Sequence, residues 1–77
     1  MTQDAVVDWN AVFKKGAKSR DDVQVGTVVG TSDTSVLIER GSTTLYTIPK
    51  TSVSGFDGNE VFLDLSEQEL FAFERRL

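Results

Sequence analysis

Short runs rich in β-branched and other apolar residues, separated by turn residues, dominate the middle of the chain. They occupy residues 23–29, 35–40, 45–50 and 61–65, and no apolar pattern of helical length interrupts them. Regularly spaced short runs of this kind are typical of small all-β barrels. The pattern therefore predicts a mainly β fold, a small closed or partly open β-barrel of about five or six short strands.

Alternation within these runs also predicts which side chains point inward, because successive residues of a strand face opposite sides of the sheet. Gly26 and Gly30 interrupt the first run, and glycine inside a strand usually marks a bulge or a bend. We expect both glycines to allow the sharp curvature of a small barrel. The residues expected inside are Val25, Val28, Val36, Ile38, Ile48, Val53, Val61 and Leu63.

The N-terminal segment, residues 1–13, departs from the β pattern. Val6, Trp9 and Phe13 follow helical spacing. This spacing predicts a short helical lid packed over one mouth of the barrel. The β domain is then expected to occupy residues 14–65.

The C-terminal segment, residues 66–77, has the clearest helix signal in the chain. It opens with the S-x-x-E pattern of a capping box, in which a serine and a glutamate satisfy each other's backbone amides. Leu70, Phe73 and Leu77 then follow one apolar stripe. The pattern predicts an amphipathic helix that runs to the end of the chain.

Composition narrows the chemistry that this domain is expected to perform. The chain has no histidine and no cysteine, so the imidazole proton shuttle and thiolate chemistry are both absent. Asp57, Glu60 and Asp64 are close in sequence, but carboxylates act in catalysis only where a pocket perturbs their pKa values. We interpret them as turn and strand-surface residues, and we expect no enzyme activity, no metal and no cofactor.

Charge and targeting patterns bear on location and partners. Asp and Glu number 12 and Lys and Arg number 8, so the net charge is −4, which opposes general attraction to phosphate backbones. Neither a signal-peptide pattern nor an apolar run of about 20 residues is present. We expect a cytoplasmic protein that does not insert into membranes.

One basic segment stands out against this acidic background. Lys14, Lys15, Lys18 and Arg20 are four of the eight cations and have no acid among them. They are candidates for binding phosphate groups of RNA or an acidic protein partner. The alternative is a solvated or salt-bridged edge of the domain.

Four aromatic residues are candidates for an interface. In the run 61–65 the alternate residues face the core, so Phe62 points the other way, where it either lies under the C-terminal helix or marks an interface. Phe71 lies beside the apolar stripe of that helix, and Trp9 and Phe73 complete the set. We expect these aromatics to form a homodimer interface or a partner-binding face; the alternative is that they pack within one chain.

Four motifs carry a resemblance to a known family. They are G-A-K-S at residues 16–19, V-G-T-V at 25–28, Y-T-I-P-K at 46–50 and V-S-G-F-D-G at 53–58. Their order resembles the PRC-barrel family, and in particular its small stand-alone prokaryotic members with a domain of unknown function. The resemblance implies a PRC-barrel or SH3-like barrel over residues 14–65, a docking or adaptor role, and no catalytic residues.

One turn departs from that family's pattern. Asp21 and Asp22 stand where the family usually has Asp-Gly. Either the turn type differs or Asp22 adopts the left-handed conformation that glycine would favour.

The sequence therefore favours a non-catalytic protein–protein interaction or adaptor module that forms a homodimer. It predicts no small-molecule substrate. The alternative is an RNA- or ribosome-associated accessory domain that binds through residues 14–20, where any RNA affinity is expected to be weak.

Overall fold

The computed structural model describes residues 8–76, in which seven strands and three short 3₁₀ helices are present. The 3₁₀ helices are Trp9–Val12, Lys50–Ser52 and Glu69–Phe73, and we refer to the first and last as the N-terminal and C-terminal 3₁₀ helices. The strands are β1 (Gly16–Lys18), β2 (Gln24–Thr31), β3 (Ser35–Arg40), β4 (Thr44–Pro49), β5 (Val53–Phe56), β6 (Glu60–Leu63) and β7 (Glu74–Arg76).

All seven strands belong to one sheet with the order β5-β6-β1-β2-β3-β4-β7. Every neighbouring pair is antiparallel except β1 and β6, which are parallel. Strands β5 and β7 form the two edges, so this sheet is not closed into a continuous barrel. The prediction of a mainly β fold is confirmed.

The core lies on one face of the curved sheet. Every residue that the sequence pattern predicts to be inside is buried. The core also receives side chains from β1, β4 and both terminal 3₁₀ helices. The buried apolar residues are Val12, Ala17, Val25, Val28, Val36, Ile38, Tyr46, Ile48, Val53, Val61, Leu63 and Leu70.

The N-terminal segment differs in detail from the predicted lid. Val12 is fully buried, Trp9 packs against the core, and Phe13 remains 48% exposed. A 3₁₀ helix has three residues per turn, so residue i+3 rather than i+4 shares the face of Trp9. Val6, which the predicted pattern included, lies outside the described residues.

The C-terminal segment differs from the predicted amphipathic helix. A 3₁₀ helix covers only Glu69–Phe73, and the chain then continues as β7, paired with residues 44–46 of β4. A helix of about a dozen residues is marginal by itself, whereas β7 satisfies backbone groups along β4. The helix prediction is therefore wrong for residues 74–76, and Leu77 lies outside the described part of the chain.

The turn between β1 and β2 resolves the departure at Asp21 and Asp22. Asp22 has φ +66°, so it adopts the left-handed conformation. Its backbone amide donates to the Ser19 carbonyl at 3.0 Å, and the buried Ser19 hydroxyl accepts from the Val23 amide at 3.1 Å. Aspartate tolerates this region better than most non-glycine residues, so the hairpin forms without Gly.

Gly26 permits the closest approach between two strands. A Cβ at this position would lie 2.9 Å from Ile38 Cγ2 and well inside van der Waals contact of the Glu39 carbonyl oxygen. The backbone of β2 can therefore bend against β3 only where this side chain is absent. Gly55 on edge strand β5 is different, because a Cβ there would meet no atom within 4 Å.

We predict that Gly26→Ala destabilises the protein by about 1–3 kcal/mol, because the added methyl group overlaps a backbone atom that cannot move cheaply. Urea unfolding monitored by tryptophan fluorescence measures this change. Gly55→Ala is the matched control and should shift the unfolding free energy by less than about 1 kcal/mol. Equal effects of the two substitutions would contradict the close approach at Gly26.

Candidate functional site

The C-terminal 3₁₀ helix begins with the predicted capping box. The Ser66 amide donates to Glu69 Oε1 at 2.9 Å, and the Glu69 amide donates to Ser66 Oγ at 3.2 Å. Leu70 then enters the core and is fully buried. The cap and this one apolar anchor fix the position of the short helix on the sheet.

Ion pairs fasten the same segment to the β1–β2 turn and to the end of β3. Arg20 Nη2 lies 2.8 Å from Glu69 Oε1, and Arg40 Nη2 lies 2.8 Å from Glu67 Oε2. The Glu67 amide also donates to Asp21 Oδ1 at 3.1 Å. We call Arg20, Asp21, Arg40, Ser66, Glu67 and Glu69 the C-terminal clamp.

The clamp perturbs the pKa values of its own members. A hydrogen bond with the Ser19 side chain is the largest cause that lowers the pKa of Asp21. The hydrogen bond from the Glu67 amide lowers it further. The hydrogen bond from the Ser66 amide is the largest cause that lowers the pKa of Glu69. The Ser66 side chain and the positive charge of Arg20 lower it further. Both carboxylates are therefore held in the ionised form by the folded structure.

Phe71 projects from the clamped helix into solvent. Its side chain is 58% exposed, whereas the preceding Leu70 is buried and Phe73 packs against the core. Leu70 and Phe73 are three residues apart and so share one face of a 3₁₀ helix. The helix thus anchors itself with two apolar residues and leaves Phe71 unburied.

The other two predicted interface residues lie on different elements. Trp9 packs against the core, and Lys50 Nζ lies 4.9 Å from the centre of its ring. Phe62 is half-buried on β6, opposite Lys18 of β1 and Gly55 of β5.

The elements that carry these aromatics contact different parts of the sheet. The N-terminal 3₁₀ helix packs against β2, and the C-terminal 3₁₀ helix packs against β4. Strand β6 is separated from β4 by three strands. Phe71 and Phe73 share one element, and Trp9 and Phe62 are carried by two others.

The basic segment divides into a paired half and an unpaired half. Lys18 Nζ lies 3.5 Å from a carboxylate oxygen of Asp22 and 3.5 Å from one of Glu60. The negative charge of Asp22 raises the pKa of Lys18 most, and that of Glu60 raises it further. Arg20 pairs with Glu69, as above, and lies 3.8 Å from Asp64.

Lys14 and Lys15 form no ion pair with any residue between 8 and 76. The Lys14 ammonium lies 5.6 Å from the centre of the Phe13 ring. The predicted group of four cations therefore presents only two free charges within the described structure.

The carboxylates considered for catalysis make structural contacts. Asp57 Oδ1 accepts from the amides of Asn59 and Glu60, each at 2.8 Å, and these two bonds lower the pKa of Asp57. Glu60 pairs with Lys18, and Asp64 with Arg20. Within residues 8–76 no group of three or more metal-ligating side chains is close enough to hold an ion. These contacts support the interpretation of the carboxylates as turn and surface residues.

Two exposed apolar residues lie outside the four predicted interface aromatics, and of these the sequence pattern indicates only Phe13, as a residue of the N-terminal lid. Phe13 is 48% and Val29 is 39% exposed. Val29 is the extra residue where the β2–β3 register shifts, so it leaves the alternating pattern. The consecutive valines at 28 and 29 were the available signal, because only one of two successive strand residues faces the core.

The chain matches no protein-family model, no curated protein and no solved structure. Its resemblance to the PRC-barrel family stays a prediction based on the four motifs. No helix in the described range is both long enough and apolar enough to span a bilayer.

The clamp predicts a specific pH dependence of stability. The folded protein holds the pKa of Glu69 below its ordinary 4.5. The stability that the ionised Glu69 carboxylate contributes is therefore complete above about pH 4.5 and is lost as the pH falls through the folded pKa. Urea unfolding at a series of pH values should therefore show stability falling below about pH 4.5. In Glu69→Gln the fall should be shallower, and the variant should approach the wild type in acid.

Glu39→Gln is the control, because Glu39 forms no ion pair among residues 8–76. It should keep the wild-type pH profile. A Glu69→Gln profile parallel to that of the wild type would show that the ionised carboxylate does not stabilise the clamp.

Proposed function

We propose that this protein is a non-catalytic protein-interaction module that forms a homodimer through a surface centred on Phe71. The observation that carries the proposal is the contrast within one clamped helix. Leu70 is buried, whereas Phe71 is 58% exposed. An exposed aromatic on a firmly held element has the character of an interface anchor.

Energetics favour the burial of this ring in a contact. Moving a Phe side chain out of water stabilises a complex by roughly 1.5–3 kcal/mol. The capping box and the two arginine ion pairs already restrain the helix. Little additional ordering is therefore required when a partner covers Phe71.

The charges beside Phe71 are compatible with a second copy as the partner. Two copies of a chain with net charge −4 repel each other overall. On the clamped segment, however, Glu67 is paired with Arg40 and Glu69 with Arg20. These ion pairs reduce the charge repulsion between two copies across a two-fold contact. Association also adds stability to a small domain with a thin core.

RNA binding through residues 14–20 has weaker support as an alternative function. Lys18 and Arg20 are engaged with carboxylates, so fewer cations remain to bind phosphates. A protein that neutralises fewer phosphates binds nucleic acid more weakly, and its affinity depends less steeply on salt.

We predict that Phe71→Ser abolishes self-association and leaves the monomer folded, because the ring contributes contact area between chains and little within one. Light scattering and sedimentation at rising protein concentration measure the mass. Wild type should shift from monomer towards dimer, and Phe71→Ser should remain monomeric with an unchanged far-ultraviolet circular dichroism spectrum.

Phe13→Ser is the matched control, because it makes the same chemical change at another exposed phenylalanine, and it should dimerise like the wild type. Two results would contradict the proposal. One is a wild type that stays monomeric at millimolar concentration. The other is a Phe71→Ser protein that dimerises normally.

A further inference from the structure

Phe13, Lys14, Lys15 and Val29 form a second exposed surface, which we call the Phe13 patch. Two backbone hydrogen bonds bring its two segments together. The Lys14 amide donates to the Val28 carbonyl at 2.7 Å, and the Val28 amide donates to the Lys15 carbonyl at 2.8 Å. Phe13 and Val29, which flank these bonds, therefore lie beside the two lysines.

The patch combines exposed apolar area with free positive charge. Phe13 and Val29 are two of the three exposed large hydrophobic residues in the described chain, and Phe71 is the third. Neither Lys14 nor Lys15 has a carboxylate within ion-pair distance among residues 8–76. Lys18, Arg20 and Arg40 each have an acidic partner, whereas Lys14 and Lys15 are adjacent cations that no carboxylate among residues 8–76 neutralises.

Backbone strain fixes the shape of the patch. Lys14 has φ +67°, a left-handed conformation that is unfavourable for a residue with a Cβ and rare for lysine. Glycine or asparagine would fit this turn with less strain. Backbone strain is common at functional sites, so this turn is a candidate for one.

We infer that the Phe13 patch binds an acidic peptide segment of a partner protein, one that carries an apolar side chain among Asp and Glu residues. Charge complementarity selects the acidic segment, because neither ammonium group has an ion-pair partner among residues 8–76. Phe13 and Val29 supply the contact for the apolar side chain. The inference rests on the adaptor role proposed above but not on the dimer.

An acidic peptide fits this surface better than a nucleic acid does. Two lysines offer few phosphate contacts, and the affinity for nucleic acid depends on how many phosphates a protein neutralises. The Lys14 ammonium beside the Phe13 ring also competes with a base for stacking on the ring.

The patch and Phe71 belong to different elements. Phe13 follows the N-terminal 3₁₀ helix, which packs against β2, whereas Phe71 is carried by the C-terminal 3₁₀ helix, which packs against β4. We therefore expect a dimer formed through Phe71 to leave both patches free. Such an assembly would present two equivalent docking sites, as a bivalent adaptor does.

The test measures fluorescence anisotropy with a short fluorescein-labelled peptide of Glu and Asp interrupted by Phe. Lys14→Gly is the decisive variant because it removes the charge and relieves the strain. It should weaken binding about tenfold, and its thermal unfolding midpoint should equal or exceed that of the wild type. Lys14→Asn should behave in the same way. Arg75→Gln, which removes one positive charge on β7, should bind like the wild type.

Peptide controls test each half of the inference. Replacing Phe by Ser in the peptide should weaken binding because the apolar side chain that packs on the patch is then absent. Replacing its acids by Lys should abolish binding, and raising NaCl from about 50 to about 300 mM should weaken the complex. The inference is overturned if Lys14→Gly binds as tightly as the wild type, if the Ser peptide binds equally well, or if an oligouridine or anionic vesicles bind more tightly.

The two proposals fail separately. Phe71→Ser should lose dimer mass in light scattering but still bind the peptide with wild-type affinity per chain. Phe13→Ser should keep dimer mass but bind the peptide more weakly. A wild type that binds the peptide but stays monomeric at millimolar concentration would overturn the dimer alone.

Discussion

The pairing of β1 between β2 and β6 is the contact on which the rest of the structure depends. This strand has only three residues, yet it is the only link between the β5–β6 hairpin and the β2–β3–β4 meander in the described sheet order. Its parallel bonds to β6 and antiparallel bonds to β2 bring Ala17 into the core with no exposed surface. Without that pairing the two apolar faces would not form one core. A larger side chain at position 17 would therefore separate both neighbours at once.

The same strand sets the position of the candidate interface. Directly after β1, the Arg20 amide donates to the Leu65 carbonyl at 2.7 Å, which holds the β1–β2 turn beside the start of the C-terminal segment. The Arg20 side chain and Asp21 then contact that segment through Glu69 and the Glu67 amide. The position of the helix that carries Phe71 thus depends on sheet topology, because this helix is fastened to the turn that follows β1.

The sequence predicted well what depends on alternation and poorly what depends on tertiary pairing. Residues such as Ile38 and Leu63 were placed inside because a strand with one buried face has only one acceptable register. Strand β1 was not recognised because G-A-K has almost no strand signal of its own and is paired on both sides only after folding. The end of the chain was predicted as α-helix because Leu70 and Phe73 are three residues apart, a spacing that places both on one face of an α-helix. A 3₁₀ helix, with three residues per turn, places them on one face equally well. The same ambiguity between α-helical and 3₁₀ spacing explains why Phe13 was expected to face the barrel. In the tighter 3₁₀ helix, Val12 faces the core instead and Phe13 is exposed.

The distribution of charge separates the two exposed surfaces by function. Around the clamp, each arginine has a carboxylate partner, so specificity there depends on the shape around Phe71. Charges that are already paired add little attraction for a partner and also little repulsion towards a second copy. At the Phe13 patch, Lys14 and Lys15 have no carboxylate partner among residues 8–76, so their charge would attract the acidic segment that we propose and increase its association rate. One surface is therefore suited to a neutral, symmetric contact and the other to an oppositely charged ligand. Because Phe71 lies on the helix that packs against β4 and Phe13 follows the helix that packs against β2, occupation of one surface need not compete with occupation of the other.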